Sequence, residues 1–211
     1  MNNKILISFL IPTRQRVALL KRAIESTYNM AKYPEKIECI IGMDSNDDET
    51  LNFVKTDEIF KKYKNIRVFS GPRIGYEYIG LILRELFKYS IGEILVGWAD
   101  DCFVVKNHYD KIFILYKDKP IIIGHRCRMA VSRKAIKKYD FVKKFFNEKH
   151  VYRPDGVLFR QAWREGIYKT IESWYSHGGR RDNIYREGHQ GKWKLGDLNI
   201  IDNYKMKEIK V

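Results

Sequence analysis

Three near-continuous apolar runs mark the first half of the chain. The first, Ile5-Leu6-Ile7-Ser8-Phe9-Leu10-Ile11, has one polar residue in seven. The second is Ile37-Glu38-Cys39-Ile40-Ile41-Gly42-Met43, and the third is Ile94-Leu95-Val96-Gly97-Trp98. Runs of this length without strict alternation predict strands covered on both faces, the situation of a parallel sheet flanked by helices. Between the first two runs, Leu20, Ala23, Ile24, Thr27, Tyr28 and Ala31 recur on one helical face. Further helices are predicted over Leu51 to Tyr63 and over Tyr78 to Tyr89, the latter with Ile79, Ile82, Leu83 and Leu86 inward. Ile66-Arg67-Val68-Phe69 and Pro120-Ile121-Ile122-Ile123-Gly124 predict short strands, and Ile167 to Trp174 a weaker one. A basic helix is predicted from Lys134 to Phe146. Strand, helix, strand, acidic loop, helix is the βαβ rhythm of a nucleotide-binding α/β sheet.

The polar residues that end these runs carry the chemistry. Ala99-Asp100-Asp101-Cys102 stops the third run, and Phe103-Val104-Val105 resumes it. Two carboxylates at the mouth of a buried strand are costly unless a cation neutralises them. The carboxyl end of a central strand is also where open α/β sheets bind ligands. Hard divalent cations, Mg2+ or Mn2+, take oxygen ligands of this type. The pair therefore reads as a metal-diphosphate site, with two solvated turn aspartates as the plainer alternative. The second run ends in Asp44-Ser45-Asn46-Asp47-Asp48-Glu49-Thr50, an acidic loop that also offers N-caps to the next helix.

Composition limits the alternatives. The chain has 211 residues, enough to bury a substantial core as one domain. It shows no apolar run near the ~20 residues of a membrane span. No signal peptide, internal repeat or low-complexity tract is evident, and a cytoplasmic, reducing location is expected. Cys39, Cys102 and Cys127 form no metal-type pair and read as free thiols. The net charge of +14 suits an anionic donor, an anionic membrane surface or nucleic acid. No nucleic-acid motif accompanies it, and most lysines sit on helical faces exposed to solvent.

The ordered set of landmarks resembles family-two glycosyltransferases of the GT-A fold. The set comprises Ser8-Phe9-Leu10-Ile11-Pro12-Thr13-Arg14, Ile40 to Thr50, Trp98-Ala99-Asp100-Asp101, and the stretch from Pro154-Asp155-Gly156 to Gly166. It covers residues 5 to 170. The resemblance implies a single GT-A domain, a Rossmann-like, mostly parallel mixed sheet flanked by helices. Residues 1–105 would form the nucleotide-binding half and residues 106–211 the acceptor-binding half. It implies metal-dependent, inverting transfer from a nucleoside-diphosphate sugar, a UDP-sugar foremost, to a glycan or other hydroxyl acceptor.

By the same resemblance, Pro12, Thr13, Arg14, Asp44 and Arg73 would face the nucleotide. Asp101 would hold Mn2+ or Mg2+, and Asp100 would contact the ribose or share the metal. His177 or His189, each among glycines, would join the metal or diphosphate from a C-terminal loop. Arg180, Arg181 and Lys192 would suit a lid over it, and Asp155 would be the general base. The chain departs from the family pattern at Met43, Ala99 and Pro154, where an acid is common. Two other readings compete: a nucleotidyltransferase, disfavoured by the absence of glycine from Pro12-Thr13-Arg14-Gln15-Arg16, and a non-catalytic basic nucleic-acid or anion-binding module.

Overall fold

The computed structural model describes residues 4–75, 78–125, 128–147, 154–177 and 203–210. The nucleotide-binding half runs β1 (Ile7–Thr13), α1 (Val17–Asn29), β2 (Ile37–Asp44), α2 (Asp48–Thr56), α3 (Ile59–Lys62), β3 (Ile66–Gly71), α4 (Ile79–Tyr89) and β4 (Ile94–Gly97). It is followed by β5 (Cys102–Val104), α5 (Asp110–Tyr116), β6 (Ile122–His125), β7 (Arg128–Ser132), α6 (Arg133–Lys138) and α7 (Asp140–Asn147). The remaining elements are α8 (Pro154–Arg164), β8 (Tyr168–Thr170), β9 (Tyr175–His177) and β10 (Lys207–Ile209).

Eight strands make one sheet in the order β10-β3-β2-β1-β4-β7-β6-β8. The block β3-β2-β1-β4 is parallel throughout, so the carboxyl ends of all four strands open on one edge. β7 runs antiparallel between β4 and β6, and β10 runs antiparallel along β3. Every residue of β1 and β2 is buried, which explains their unbroken apolar reading. Side chains still alternate between faces. Ile7, Phe9 and Ile11 enter one core with Leu20 and Ile24 of α1, whereas Leu10 enters another with Leu81 and Leu86 of α4. A third cluster gathers Leu95, Ile122 and Val131 with Leu158 and Ala162 of α8.

Trp98, the residue before the Ala99-Asp100-Asp101 turn, anchors that turn in an aromatic cluster. Its ring stacks on Trp174 with centroids 4.8 Å apart and meets Phe9 edge-on at 5.4 Å. Trp174 in turn stacks on Tyr109 at 5.5 Å. Trp98 N–H also donates to Leu10 C=O at 2.9 Å, so the turn leaves the sheet from a fixed point.

Some helices differ from the sequence reading, each for a local reason. The predicted helix over Leu51 to Tyr63 breaks at Asp57, whose carboxylate accepts from Ile59 N–H at 3.0 Å and from Lys21 at 2.8 Å. The basic helix from Lys134 is likewise two helices, α6 and α7, with Tyr139 extended between them. In α4 the fully buried positions are Leu81, Glu85 and Leu86; Ile79, Ile82 and Leu83 are half-buried. α1 ends at Asn29, so Ala31 lies beyond the helix. Phe103 and Val104 do not extend β4 but pair with β9 in a separate two-stranded ribbon. In the Ile167 to Trp174 stretch only Tyr168–Thr170 is strand. Cys39 and Cys102 are buried thiols in no disulfide, as expected, whereas Cys127 lies outside the described residues.

The edge between β1 and β4 tolerates no extra volume. Glu38 Oε1 accepts from Ser8 Oγ–H at 2.5 Å and from Ile91 N–H at 2.7 Å, and Gly92 N–H donates to Ser8 Oγ at 2.9 Å. A Cβ on Gly92 would stand 2.6 Å from Ser8 Oγ and 2.7 Å from Ser8 N, the latter being backbone that cannot move aside. Gly92→Ala is expected to destabilise the protein by about 1–3 kcal/mol, the usual range for overpacking. Urea denaturation measures this, and an unchanged midpoint would contradict the packing described.

Candidate active site

The site forms where the parallel strands end. β1 closes in Thr13, and the Arg14-Gln15-Arg16 loop turns sharply into α1. Gln15 sits at φ 49°, a left-handed conformation that costs a non-glycine residue about 1–2 kcal/mol. Asp47 holds it there: Gln15 N–H donates to Asp47 Oδ2 at 2.8 Å. Asp47 also caps α2, accepting from Thr50 N–H at 3.1 Å and Thr50 Oγ1–H at 2.7 Å. It thus fastens the first two loops together, and the capping role open to Asp44 belongs to Asp47 instead.

From this turn the two arginines diverge. Arg14 donates from one nitrogen to Asp44 Oδ2 and Asn46 Oδ1, both at 2.8 Å. Burial raises the Asp44 pKa; the Arg14 and Arg73 charges oppose the shift and Asp47 adds to it. Arg16 reaches the other way, to the end of β4. Its Nε–H donates to Asp100 Oδ2 at 2.9 Å, a second guanidinium nitrogen contacts Asp100 Oδ1, and the third lies 3.7 Å from Asp101 Oδ2. Thr13 Oγ1–H donates to the same Asp100 Oδ2 at 2.8 Å. Asp100 is 1 % exposed and Asp101 8 %.

The structure therefore joins Thr13 to Asp100 and Arg14 to Asp44, sets Asp101 beside Asp100, and brings Arg73 near enough for its charge to act on Asp44. Pro12 is buried opposite Gly42 at the same strand ends. His177 ends β9, and its backbone pairs with Cys102, the residue after Asp101. Asp155 lies in the first turn of α8. The side chains of His177 and Asp155 are outside the described residues, as are His189, Arg180, Arg181 and Lys192 altogether. Sequence reasoning missed Arg16 as a site residue. The available signal was charge: two buried acids require a cation, and the loop one strand away carries two arginines. Asn46 and Asp47, counted only as loop acids and amides, also prove to organise the site.

Counted against Arg16 alone, the two buried carboxylates keep one negative charge. Asp100 Oδ1 touches Arg16 yet receives no hydrogen bond of good geometry. A hard cation fits such a pair. Among the described residues no three His, Cys, Asp or Glu side chains converge, so further ligands for a cation would come from elsewhere.

Comparison with known proteins defines the class. The model of glycosyl transferase family 2 matches residues 8–171. A search of curated protein sequences returns no match. Solved structures share the fold at low identity. One is TarS 1–349 of S. aureus in complex with UDP-GlcNAc, at TM-score 0.62 and 12% identity, covering 88% of this chain and 62% of that one. Another is the mannosyltransferase PcManGT of Pyrobaculum calidifontis in complex with GDP-Man and Mn2+, at TM-score 0.50 and 14% identity, covering 64% and 46%. The 4-diphosphocytidyl-2C-methyl-D-erythritol synthase of Anaerococcus prevotii, a nucleotidyl-handling enzyme by its name, gives 0.55 and 16%, covering 81% and 87%. The chain spans about 60% of the length of the TarS 1–349 structures. The fold is of the GT-A type, and the chain belongs to glycosyl transferase family 2.

Asp100 gives the site a pH signature. Burial pushes its carboxyl up to about 6; Arg16 opposes the shift and Asp101 reinforces it. In the unfolded chain an aspartate titrates near about 3.9. Between those values the folded state keeps a proton that the unfolded state has lost. Stability therefore falls as pH rises from about 4 to about 6, by about 3 kcal/mol from this group. Asp100→Asn cannot titrate there. In the metal-free state it is expected to gain on the wild type by that amount between pH 4 and pH 7, followed by urea denaturation. A pH-independent difference would contradict the burial of a charged Asp100.

Proposed function

We propose that this family-2 enzyme is a metal-dependent, inverting glycosyltransferase that moves a sugar from a UDP-sugar to a hydroxyl of a glycan or similar acceptor. The observation that carries the reading is the buried Asp100-Asp101 pair at the carboxyl end of β4, faced by Arg16, with the polar Arg14-Asp44 pair across β1 at the end of β2. TarS holds UDP-GlcNAc and PcManGT holds GDP-Man with Mn2+ on the same fold, which supports a nucleotide-sugar donor here.

In this reading Asp44 accepts from the nucleoside, with Pro12, Thr13, Arg14 and Arg73 around it. Asp101, with Asp100, holds Mg2+ or Mn2+. His177, on the strand that pairs with β5 next to Asp101, or His189 supplies the next ligand. A bound cation would stabilise the negative charge that develops on the departing diphosphate. The acceptor oxygen bonds to the anomeric carbon as the bond from that carbon to the β-phosphate oxygen breaks. The electron pair leaves with the nucleoside diphosphate, and Asp155 takes the acceptor's proton. Residues 1–105 bind the donor and residues 106–211 the acceptor.

The likeness to the diphosphocytidyl synthase keeps nucleotidyl transfer as a second reading. The glycine-free turn after β1 weighs against it, because enzymes that transfer a nucleotidyl group from a nucleoside triphosphate usually carry a glycine-rich phosphate loop there.

Calorimetric titration of UDP with Mn2+ tests the donor assignment. Asp44→Ala is expected to weaken UDP binding by about 1–3 kcal/mol with little change in melting temperature. Asp101→Asn is expected to fold and to lose the Mn2+-dependent part of the affinity. Unaltered binding in both variants, or binding of CTP in preference to UDP, would overturn the reading. Asp155→Asn separates chemistry from binding: transfer falls by roughly a hundredfold or more, the contribution of a positioned base, while UDP and Mn2+ affinities persist. Transfer within a few-fold of wild type would assign the proton to another group.

A further inference from the structure

Arg16 occupies ground that a divalent cation needs. Its guanidinium spans both acids, with one nitrogen 2.9 Å from Asp100 Oδ2, another against Asp100 Oδ1 and the third 3.7 Å from Asp101 Oδ2. Thr13 already fills part of the Asp100 Oδ2 coordination. The side chain is only 17% exposed, so this is a partly desolvated ion pair rather than a solvated surface contact. Its position is also set from behind. Arg16 precedes α1, and the turn that aims it depends on Gln15 at positive φ and on the Asp47 clamp.

The charges define the consequence. Counted against Arg16, the acid pair keeps one negative charge. A divalent ion added beside it would leave the pocket one charge positive, in a place with little water to screen it. Arg16 must then give way, or a further anion must arrive. A donor's diphosphate is such an anion, and an arginine released from Asp100 is free to pair with it, a pairing that guanidinium geometry favours.

We propose that Arg16 is the resident counter-ion of the Asp100-Asp101 pair, competing with the divalent cation for it and making cation and nucleoside-diphosphate binding interdependent. The inference rests on the cation reading of the previous subsection. By linkage, a diphosphate that draws Arg16 away must tighten the cation, and the cation must tighten the diphosphate by the same factor.

Mn2+ binding followed by electron paramagnetic resonance tests this without turnover, in wild type, Arg16→Gln and Asp101→Asn, with and without UDP and against protein-free UDP blanks. Arg16→Gln is expected to bind Mn2+ at least tenfold more tightly than wild type without UDP, and to show a smaller gain when UDP is added. Equal Mn2+ affinity in wild type and Arg16→Gln, with weaker binding in Asp101→Asn, would overturn the proposal and leave the cation site intact. No Mn2+ binding by any of the three proteins, even with UDP, would overturn both. A second measurement on the unaltered protein guards against misfolding of the variant. The Arg16 Nε–H resonance, assigned with Arg16→Lys, should shift as Mg2+ saturates the protein; an Nε–H signal unmoved at saturation would overturn the competition.

Discussion

Two carboxylates held at the end of the central parallel strand are the constraint on which the rest of this molecule turns. Asp100 and Asp101 sit almost fully out of water, where an uncompensated charge is worth several kcal/mol of destabilisation. The surroundings respond at every level. Thr13 and Arg16 come from the neighbouring strand end to meet Asp100. Asp47 holds the loop that delivers Arg16, at the expense of a left-handed glutamine. Trp98 pins the turn from below through its stack on Trp174. Burial still outweighs the charge of Arg16 and raises the Asp100 pKa.

A second polar centre is built on the same logic and kept separate. Asp44 ends β2, where Arg14, Asn46 and Arg73 surround it, while Arg16 is committed to Asp100. One three-residue connection between β1 and α1, Arg14-Gln15-Arg16, thus serves both centres, with Gln15 as the divide. The division matches a ligand with two chemically distinct ends, a neutral nucleoside and a charged diphosphate. The C-terminal β10 closes the edge of the sheet beside β3, and Arg67 pairs there with Glu208 at 2.8 Å. That edge lies on the Asp44 side, so β10 buttresses the strands that carry Asp44.

Much of this was legible in the sequence because it follows from burial. β1, β2 and β4 are buried on both faces, so their composition alone marks them. The acids that interrupt them stand out for the same reason, and the family resemblance then ordered the landmarks correctly. What stayed hidden depends on contacts distant in sequence. Nothing near Arg16 announces Asp100, which is 84 residues away. Asp47 and Asp44 look alike in an acidic loop, and only the approach of Gln15 N–H and Thr50 marks Asp47 as the clamp. The breaks at Asp57 and Tyr139 are side-chain and backbone details that apolar periodicity does not encode. β10 is three residues of ordinary polarity and becomes a strand through its partner β3.

On the proposed function, the Asp100-Asp101 pair receives a cation that carries a nucleoside diphosphate. A crystal grown with UDP and Mn2+, with anomalous scattering recorded at a wavelength where manganese contributes, tests it most directly. The account predicts one strong anomalous peak at roughly 2.0–2.3 Å from a carboxylate oxygen of Asp101, the distance expected of a hard cation, bridging to the diphosphate, with the uracil ring among Asp44, Arg14 and Arg73. A manganese peak remote from both aspartates, or UDP bound with its base away from Asp44, would contradict it.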